Sequence, residues 1–249
     1  VYLYRGDQRI TTGRSVNSQS NVVEFSNINQ TIAANTAAKI CLVADLDLAA
    51  SKGSVQAFQL RTADDITSNS SDLAGSFPLR GADQLVTTAV VSTAEISVNG
   101  ALSEVAVGDE NARIAQFQIK NTGSSEDQEL RRIALYVNGR VSGANISNLK
   151  LYVEGNATPL ATVASVGDKD LITFVLSTPY KITRSQSKIF YVTGNITSAR
   201  NDDDLKIYLD EPSDLYIVGL SYGYGVRIVS TNYNSSSPSS VVVKAAKFS

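Results

Sequence analysis

The chain copies itself at an offset of about 150 residues, and the copying begins partway through a unit. Val1-Tyr2-Leu3-Tyr4 with Gly6 matches Leu149-Lys150-Leu151-Tyr152 with Gly155. Val23-Glu24-Phe25 matches Ile172-Thr173-Phe174, and Ile32 to Leu46 matches Ile182 to Ile196. Val55 to Phe58 then matches Leu205 to Tyr208, and Val90 to Ala94 matches Val241 to Ala245. A chain of like modules buries its core by joining neighbours, and such arrays usually bridge, coat or adhere rather than catalyse.

Within each copy the pattern is a period of two. In Arg113 to Lys120, Ala115, Phe117 and Ile119 share one face while Gln116, Gln118 and Lys120 take the other. Leu205, Ile207 and Leu209 alternate in the same way, and Ile133, Leu135 and Val137 form a third stripe. These are half-buried strands of antiparallel sheets, one face on a core and one in water. Turn signals interrupt them at Asn99-Gly100, Asn138-Gly139, Glu154-Gly155-Asn156, Gly167-Asp168, Gly194-Asn195 and Glu211-Pro212. Helical stripes are scarce; Ile32 to Lys39 is Ala-rich, but its second copy carries no helical face, so both read as turns.

The expected fold class is all-β, with tandem immunoglobulin-like antiparallel β-sandwiches, because Ala89 to Val243 holds about eight strands. With no Trp and one Cys, the Cys–Trp–Cys core of antibody domains is absent, so the kinship is architectural. The phase of the repeat places a first sandwich at 1–88 that lacks its N-terminal strands, and a second, complete one at 89–237. Residues 238–249 read as the first strand of a following module, or as a donor strand for a neighbour. An incomplete sandwich exposes strand edges and apolar core. The missing strands belong either to sequence beyond this stretch or to a neighbouring chain that adds a strand. A chain with no Met reads as a segment of a longer protein.

Composition closes several function classes. A net charge of −2 with scattered Lys and Arg leaves no footprint for nucleic acid. No apolar run reaches the ~18 residues of a membrane helix. Charged residues are only 18% of the chain and Ser, Thr and Asn are plentiful, a balance that suits an extracellular β protein. Without His, the imidazole mechanisms are closed, and one Cys excludes Cys-rich metal sites. Paired carboxylates remain open, yet nothing marks a pair, so the chain is read as no enzyme. Cys41 cannot form an intramolecular disulfide. It lies in an apolar run at the place of Phe190 and reads as a small buried hydrophobe, with an intermolecular link or reactive thiol as the alternatives.

No cofactor is expected. Asp202, Asp203 and Asp204, with Asp168 from another loop, are the calcium candidates, since hard cations need converging oxygens. The corresponding first-copy loop, Ala50 to Ser54, holds no acid, which favours a solvated turn. Arg5-Gly6-Asp7 spells an integrin-binding tripeptide, but its second copy reads Val153-Glu154-Gly155, so a plain hairpin turn is preferred. Six glycosylation sequons occur, at Asn29, Asn69, Asn145, Asn156, Asn195 and Asn234. Ser221 to Gly225 (SYGYG) reads equally as an exposed aromatic patch or a bent strand.

Leu151-Tyr152, Phe174 to Pro179, Lys188 to Ile196 and the stretch Asp109 to Gly123 resemble the strand motifs of one group of proteins. These are the tandem immunoglobulin-like repeat proteins of bacterial and archaeal cell surfaces. The resemblance covers nearly the whole chain and implies a secreted structural or adhesive role in a surface layer, sheath or filament, with no catalytic residues. The expected function is a structural subunit of an extracellular polymer that self-associates through its sandwiches. Strand addition would use Val241, Val242, Val243, Ala245 and Phe248 as donor, and Tyr2, Phe25 and Val43 as uncovered acceptor residues. The alternative is an adhesin or glycan-binding surface protein with these modules as a stalk.

Overall fold

Alternation of the kind seen above dictates strands, and the computed structural model consists largely of them. It describes residues 1–47, 49–69, 73–87, 91–123 and 125–245. The chain forms two compact units, Val1–Ala44 together with Val91–Ser249, and Asp45–Val90. The expected 88/89 boundary falls outside the described residues.

The first unit opens with β1 (Tyr2–Arg5), β2 (Gln8–Arg9) and β3 (Ile40–Val43), which form one sheet in the order β2-β1-β3. The second unit holds β4 (Val55–Gln56), β5 (Gln59–Leu60), β6 (Leu79–Arg80) and β7 (Gln84–Leu85), paired only as β4-β7 and β5-β6. The first unit then resumes with β8 (Thr93–Val98), β9 (Val105–Ala106), β10 (Ala112–Asn121), β11 (Gln128–Gly139), β12 (Ile146–Val153) and β13 (Ala161–Ser165). It continues through β14 (Leu171–Ile182), β15 (Ser187–Ile196), β16 (Asp203–Tyr208), β17 (Leu215–Gly219), β18 (Arg227–Ser230) and β19 (Ser239–Lys244).

These later strands make two mixed sheets. One runs β13-β12-β15-β10-β8-β18, the other β14-β11-β16-β19-β9, with β17 also on β11. The ladders are antiparallel except β18 on β8 and β19 on β9. Phe117, Ile119 and Phe190 of the first sheet and Ile133, Leu135, Phe174 and Ile207 of the second belong to one apolar core. Burying each such side chain stabilises the fold by about 2 kcal/mol. A bulge between Arg113 and Ala115 lets Ile114 and Ala115 both turn inward, which strict alternation forbids. Gly139 closes β11 at φ +110, where a Cβ would lie 2.4 Å from the Asp204 carbonyl.

Two expectations need correction. Residues 239–244 are neither a following module's first strand nor a free donor: β19 pairs with β16 and β9 of its own chain. Val241 and Val243 are buried there, because β16 needs a partner on the side away from β11. Thr93 and Ala94, matched in sequence to Lys244 and Ala245, lie in β8 of the other sheet, so that match is not one of placement. Among the described residues of the first 88, none from Thr11 to Thr87 is buried, so they show no separate core of the expected first sandwich.

One ladder nevertheless repeats. β12 and β15 pair Lys150 with Thr193, Leu151 with Val192, Tyr152 with Tyr191 and Val153 with Phe190. β1 and β3 pair Tyr2 with Val43, Leu3 with Leu42, Tyr4 with Cys41 and Arg5 with Ile40. The second set is the first shifted by 148 residues on one strand (Tyr2 to Lys150) and 150 on the other (Val43 to Thr193). Strand order agrees too, β2-β1-β3 against β13-β12-β15. This register puts Ile40, not Cys41, at the place of Phe190; Cys41 takes that of Tyr191.

Tyr233 stacks on Phe117 with ring centroids 5.2 Å apart, fully buried, and its hydroxyl has no hydrogen-bond partner among the described residues. Tyr233→Phe keeps the ring and removes an unsatisfied polar atom. It should raise stability by about 1 kcal/mol, measured by chemical denaturation; a fall would show that the hydroxyl is satisfied.

Candidate functional site

The residues that do most in this molecule join β1 and β2 to the body of the first unit. Arg9 is 5% exposed and lies against Asp214, which is fully buried. Its Nε donates to Asp214 Oδ1 at 2.9 Å, and its Nη2 donates to Asp214 Oδ2 at 3.1 Å and Asp210 Oδ2 at 2.5 Å. Asp214 is positioned by a single 3-10 turn, Pro212–Asp214, where its carboxylate also accepts from the Glu211 amide. Burial pushes the Asp214 carboxyl up, against the pull of the Arg9 guanidinium. Burial would lower Arg9, but the hydrogen bonds and charges of Asp214 and Asp210 outweigh it and hold Arg9 cationic.

Two tyrosines and a second arginine complete this clamp. Tyr4 donates its hydroxyl to the Ser213 carbonyl at 2.9 Å, and Tyr2 donates to Glu211 Oε2 at 3.2 Å. Arg132, from the outer face of β11, donates to the Asp7 carbonyl at 2.7 Å and the Ser213 carbonyl at 2.9 Å. Its guanidinium stands 4.6 Å from the centre of the Tyr4 ring, within cation–π range. Sequence reasoning missed Arg9, Arg132, Asp210 and Asp214. Glu211-Pro212 was legible as a turn signal, and it marks the turn that carries Asp214.

The other face of the same sheet is open. Residues directly opposite across an antiparallel ladder share a face, so Leu3, Arg5, Ile40 and Leu42 lie together, away from Tyr2 and Tyr4. Ile40 is 43% exposed and Leu42 is 37% exposed, whereas Phe190 and Val192, at the same register positions in the second copy, are fully buried. β3 is also the edge of its sheet, with no strand beside it among the described residues.

Of the expected donor residues, Val241 and Val243 face the chain's own core, Val242 and Ala245 are exposed, and Phe248 lies outside the described residues. Of the acceptors, Tyr2 is covered by the clamp, Phe25 is half-buried and Val43 is exposed. The clamp therefore corrects Tyr2 as an uncovered core residue. The acidic run is engaged by hydrogen bonds and cations. Asp202 accepts from Lys244, Asp203 from the Arg200 amide, and Asp204 from Arg140. Lys206 first, with Arg140, holds the Asp204 carboxyl down at about 2. Asp168 sits apart in its own turn, and no three His, Cys, Asp or Glu cluster among the described residues.

Arg5-Gly6-Asp7 spans the β1–β2 turn, with Gly6 at φ +60, the backbone such a turn needs at its first position. Arg5 donates to Gln30 and to the Thr31 carbonyl. Among the sequons, Asn29, Asn69 and Asn156 are exposed, while Asn145, Asn195 and Asn234 are half-buried. Ser221–Gly225 belongs to a tight turn in which the Gly219 amide donates to the Tyr224 carbonyl, leaving Tyr222 and Tyr224 outside the core. No helix among the described residues is long and apolar enough to cross a membrane.

Arg9→Ala would leave Asp214 buried without its counter-charge, a change worth about 3 kcal/mol against docking of β1 and β2. The expected result is faster amide exchange at Tyr2–Ile10, with β10, β11 and β15 still protected. Uniform exchange across both regions would mean that the clamp stabilises the whole unit instead.

No family model and no curated protein matches the chain. Among solved structures, it is similar to AvmM, described as catalysing macrocyclization in alchivemycin A biosynthesis, at 6% identity and a TM-score of 0.29. That match covers 64% of this chain and 91% of the other. It is also similar to a cohesin module of a Clostridium perfringens family 33 glycoside hydrolase, at 16% identity and a TM-score of 0.28, over 64% of this chain and 98% of that one. Likenesses this distant carry no argument about what the chain does.

Proposed function

We propose that this chain is a non-catalytic structural subunit of an extracellular polymer, a surface filament, sheath or surface layer. It self-associates through immunoglobulin-like β-sandwich modules set in series. The observation that carries this reading is the repeated ladder: β1 on β3 has the register and strand order of β12 on β15. Two copies of one pairing in one chain mark modules, and modules in series transmit load along a chain. A second support is the contrast in exposure between equivalent positions of the two copies. Leu151, Val192 and Phe190 are buried, while Leu42 and Ile40 face solvent. An apolar face left open in this way favours association with further protein.

Negative-stain images of the purified chain, with light scattering over a concentration series, test this directly. Regular polymers of constant width are expected to grow with concentration. Monodisperse monomers at every concentration would overturn the assembly reading.

A further inference from the structure

The clamp also closes a loop in the chain, and what lies inside that loop is weak. Arg9 stands at the end of β2, whereas its partners Asp210 and Asp214 come after β16. Between them, residues 10–92 hold β3 and the whole of the second unit. That unit has only two ladders of two residue pairs each, Val55 with Leu85 and Gln56 with Gln84, then Gln59 with Arg80 and Leu60 with Leu79. None of its described residues is buried. With so few paired backbone groups and so little buried apolar surface, it opens at low cost.

Tension applied at β1 and at the end of β19 has a route that avoids it. Tyr2 holds β1 to Glu211, Tyr4 holds it to Ser213, and Arg9 ties β2 to Asp210 and Asp214. Asp210 lies two residues past Tyr208, the last residue of β16. In turn, β16 pairs with β19 from Asp203 opposite Val243 to Ile207 opposite Ser239. The route therefore enters β16 at its C-terminal end and leaves β19 at its own C-terminal end. Because the two strands are antiparallel, those ends lie at opposite ends of the ladder. Drawing them apart strains all of the ladder's hydrogen bonds together, in shear, rather than one after another. The clamp itself is a few polar contacts outside the core, whereas β8–β19 share one apolar core, so the clamp gives first.

We propose that the Arg9 clamp carries tension past residues 10–92 and opens before the sandwich does, releasing the chain from Val1 to Ser92 as reserve length. This inference rests on the modular reading above, in which the chain transmits load, and deepens it by naming the element that yields first.

The test stretches the full chain in an optical trap between handles joined to its two ends. Two extensions are expected. The first, at the lower force, is about 30 nm, from roughly 90 residues at ~3.5 Å each; the second is about 50 nm, from roughly 150 residues. At constant force, Arg9→Ala should make the first opening at least about tenfold faster, because Asp214 loses its counter-charge, and leave the second unchanged. The second extension in the same trace reports that β8–β19 are folded. Asp210→Asn should act in the same direction with a smaller effect. A first extension that meets no resistance in the native chain, or that Arg9→Ala does not hasten, would overturn the proposal. So would a single extension of about 80 nm, since clamp and sandwich would then yield together. Polymers in the images with an unresisted first extension would leave the modular reading standing and sink this one. A resisted first extension without polymers would do the reverse, leaving the clamp's response as a property of the fold.

Discussion

A strand forms where a neighbour takes up its backbone groups, and this constraint explains which parts of the first copy are ordered as strands. The β1–β3 ladder is present because both of its strands are present, and it adopts the register of its second-copy counterpart without help from the rest of a module. Val23-Glu24-Phe25 tells the opposite story. Its match, Ile172-Thr173-Phe174, lies in β14, which pairs with β11. Val23 to Phe25 pairs with no strand among the described residues, and there the same apolar alternation yields no strand. Alternation prepares a segment to be a strand; a partner makes it one.

The clamp fixes which side of the β2-β1-β3 sheet is left over. Its outer face, equivalent to Lys150 and Tyr152, has become an interface, with Tyr2 and Tyr4 set against Glu211, Ser213 and Asp214. Its inner face, equivalent to Leu151 and Val153, leaves Ile40 and Leu42 exposed. A buried arginine held by two carboxylates is a poor source of net stability, because desolvation cancels much of the attraction. Its value is in geometry: a planar guanidinium with a bidentate partner accepts one orientation and resists others. The ion pair thus specifies how β1 and β2 sit on the body of the unit more than it strengthens the unit.

How far the fold was legible in sequence follows from the range of each interaction. Strand periodicity is local, so the stripes at Arg113–Lys120, Ile133–Val137 and Leu205–Leu209 could be read directly. The repeat carries register across the chain, and it placed the equivalents of β1 and β3 without any knowledge of contacts. Sequence could not say which sheet the tail would join, since Val241 and Val243 alternate in the same way whether they pair with β16 or with another chain. The clamp was hidden for a different reason. Arg9 and Asp214 lie about 200 residues apart, and a single arginine in a polar stretch carries no sign that a buried carboxylate awaits it. Acid density at Asp202, Asp203 and Asp204 says nothing in sequence about whether their oxygens converge. In the structure, Asp202, Asp203 and Asp204 alternate outward and inward along one strand end and find separate partners.

Two kinds of surface are open at β3 at the same time, and together they limit what can complete it. The edge presents unpaired backbone donors and acceptors, which water can satisfy only while the strand remains exposed. The face presents Ile40 and Leu42, which water cannot satisfy at all. A helix laid across the sheet would cover the face but leave the edge unpaired. A second copy of β3 would pair the edge but leave the face bare. An extended segment of alternating character meets both needs at once, because its backbone pairs along the edge while every second side chain turns over the apolar face. The second copy contains such a segment in β10, and its Phe117 packs against Phe190 with ring centroids 5.7 Å apart. Ile40 occupies the place of Phe190 in the first copy, so the requirement for an apolar partner there is set by the same geometry that built the complete core.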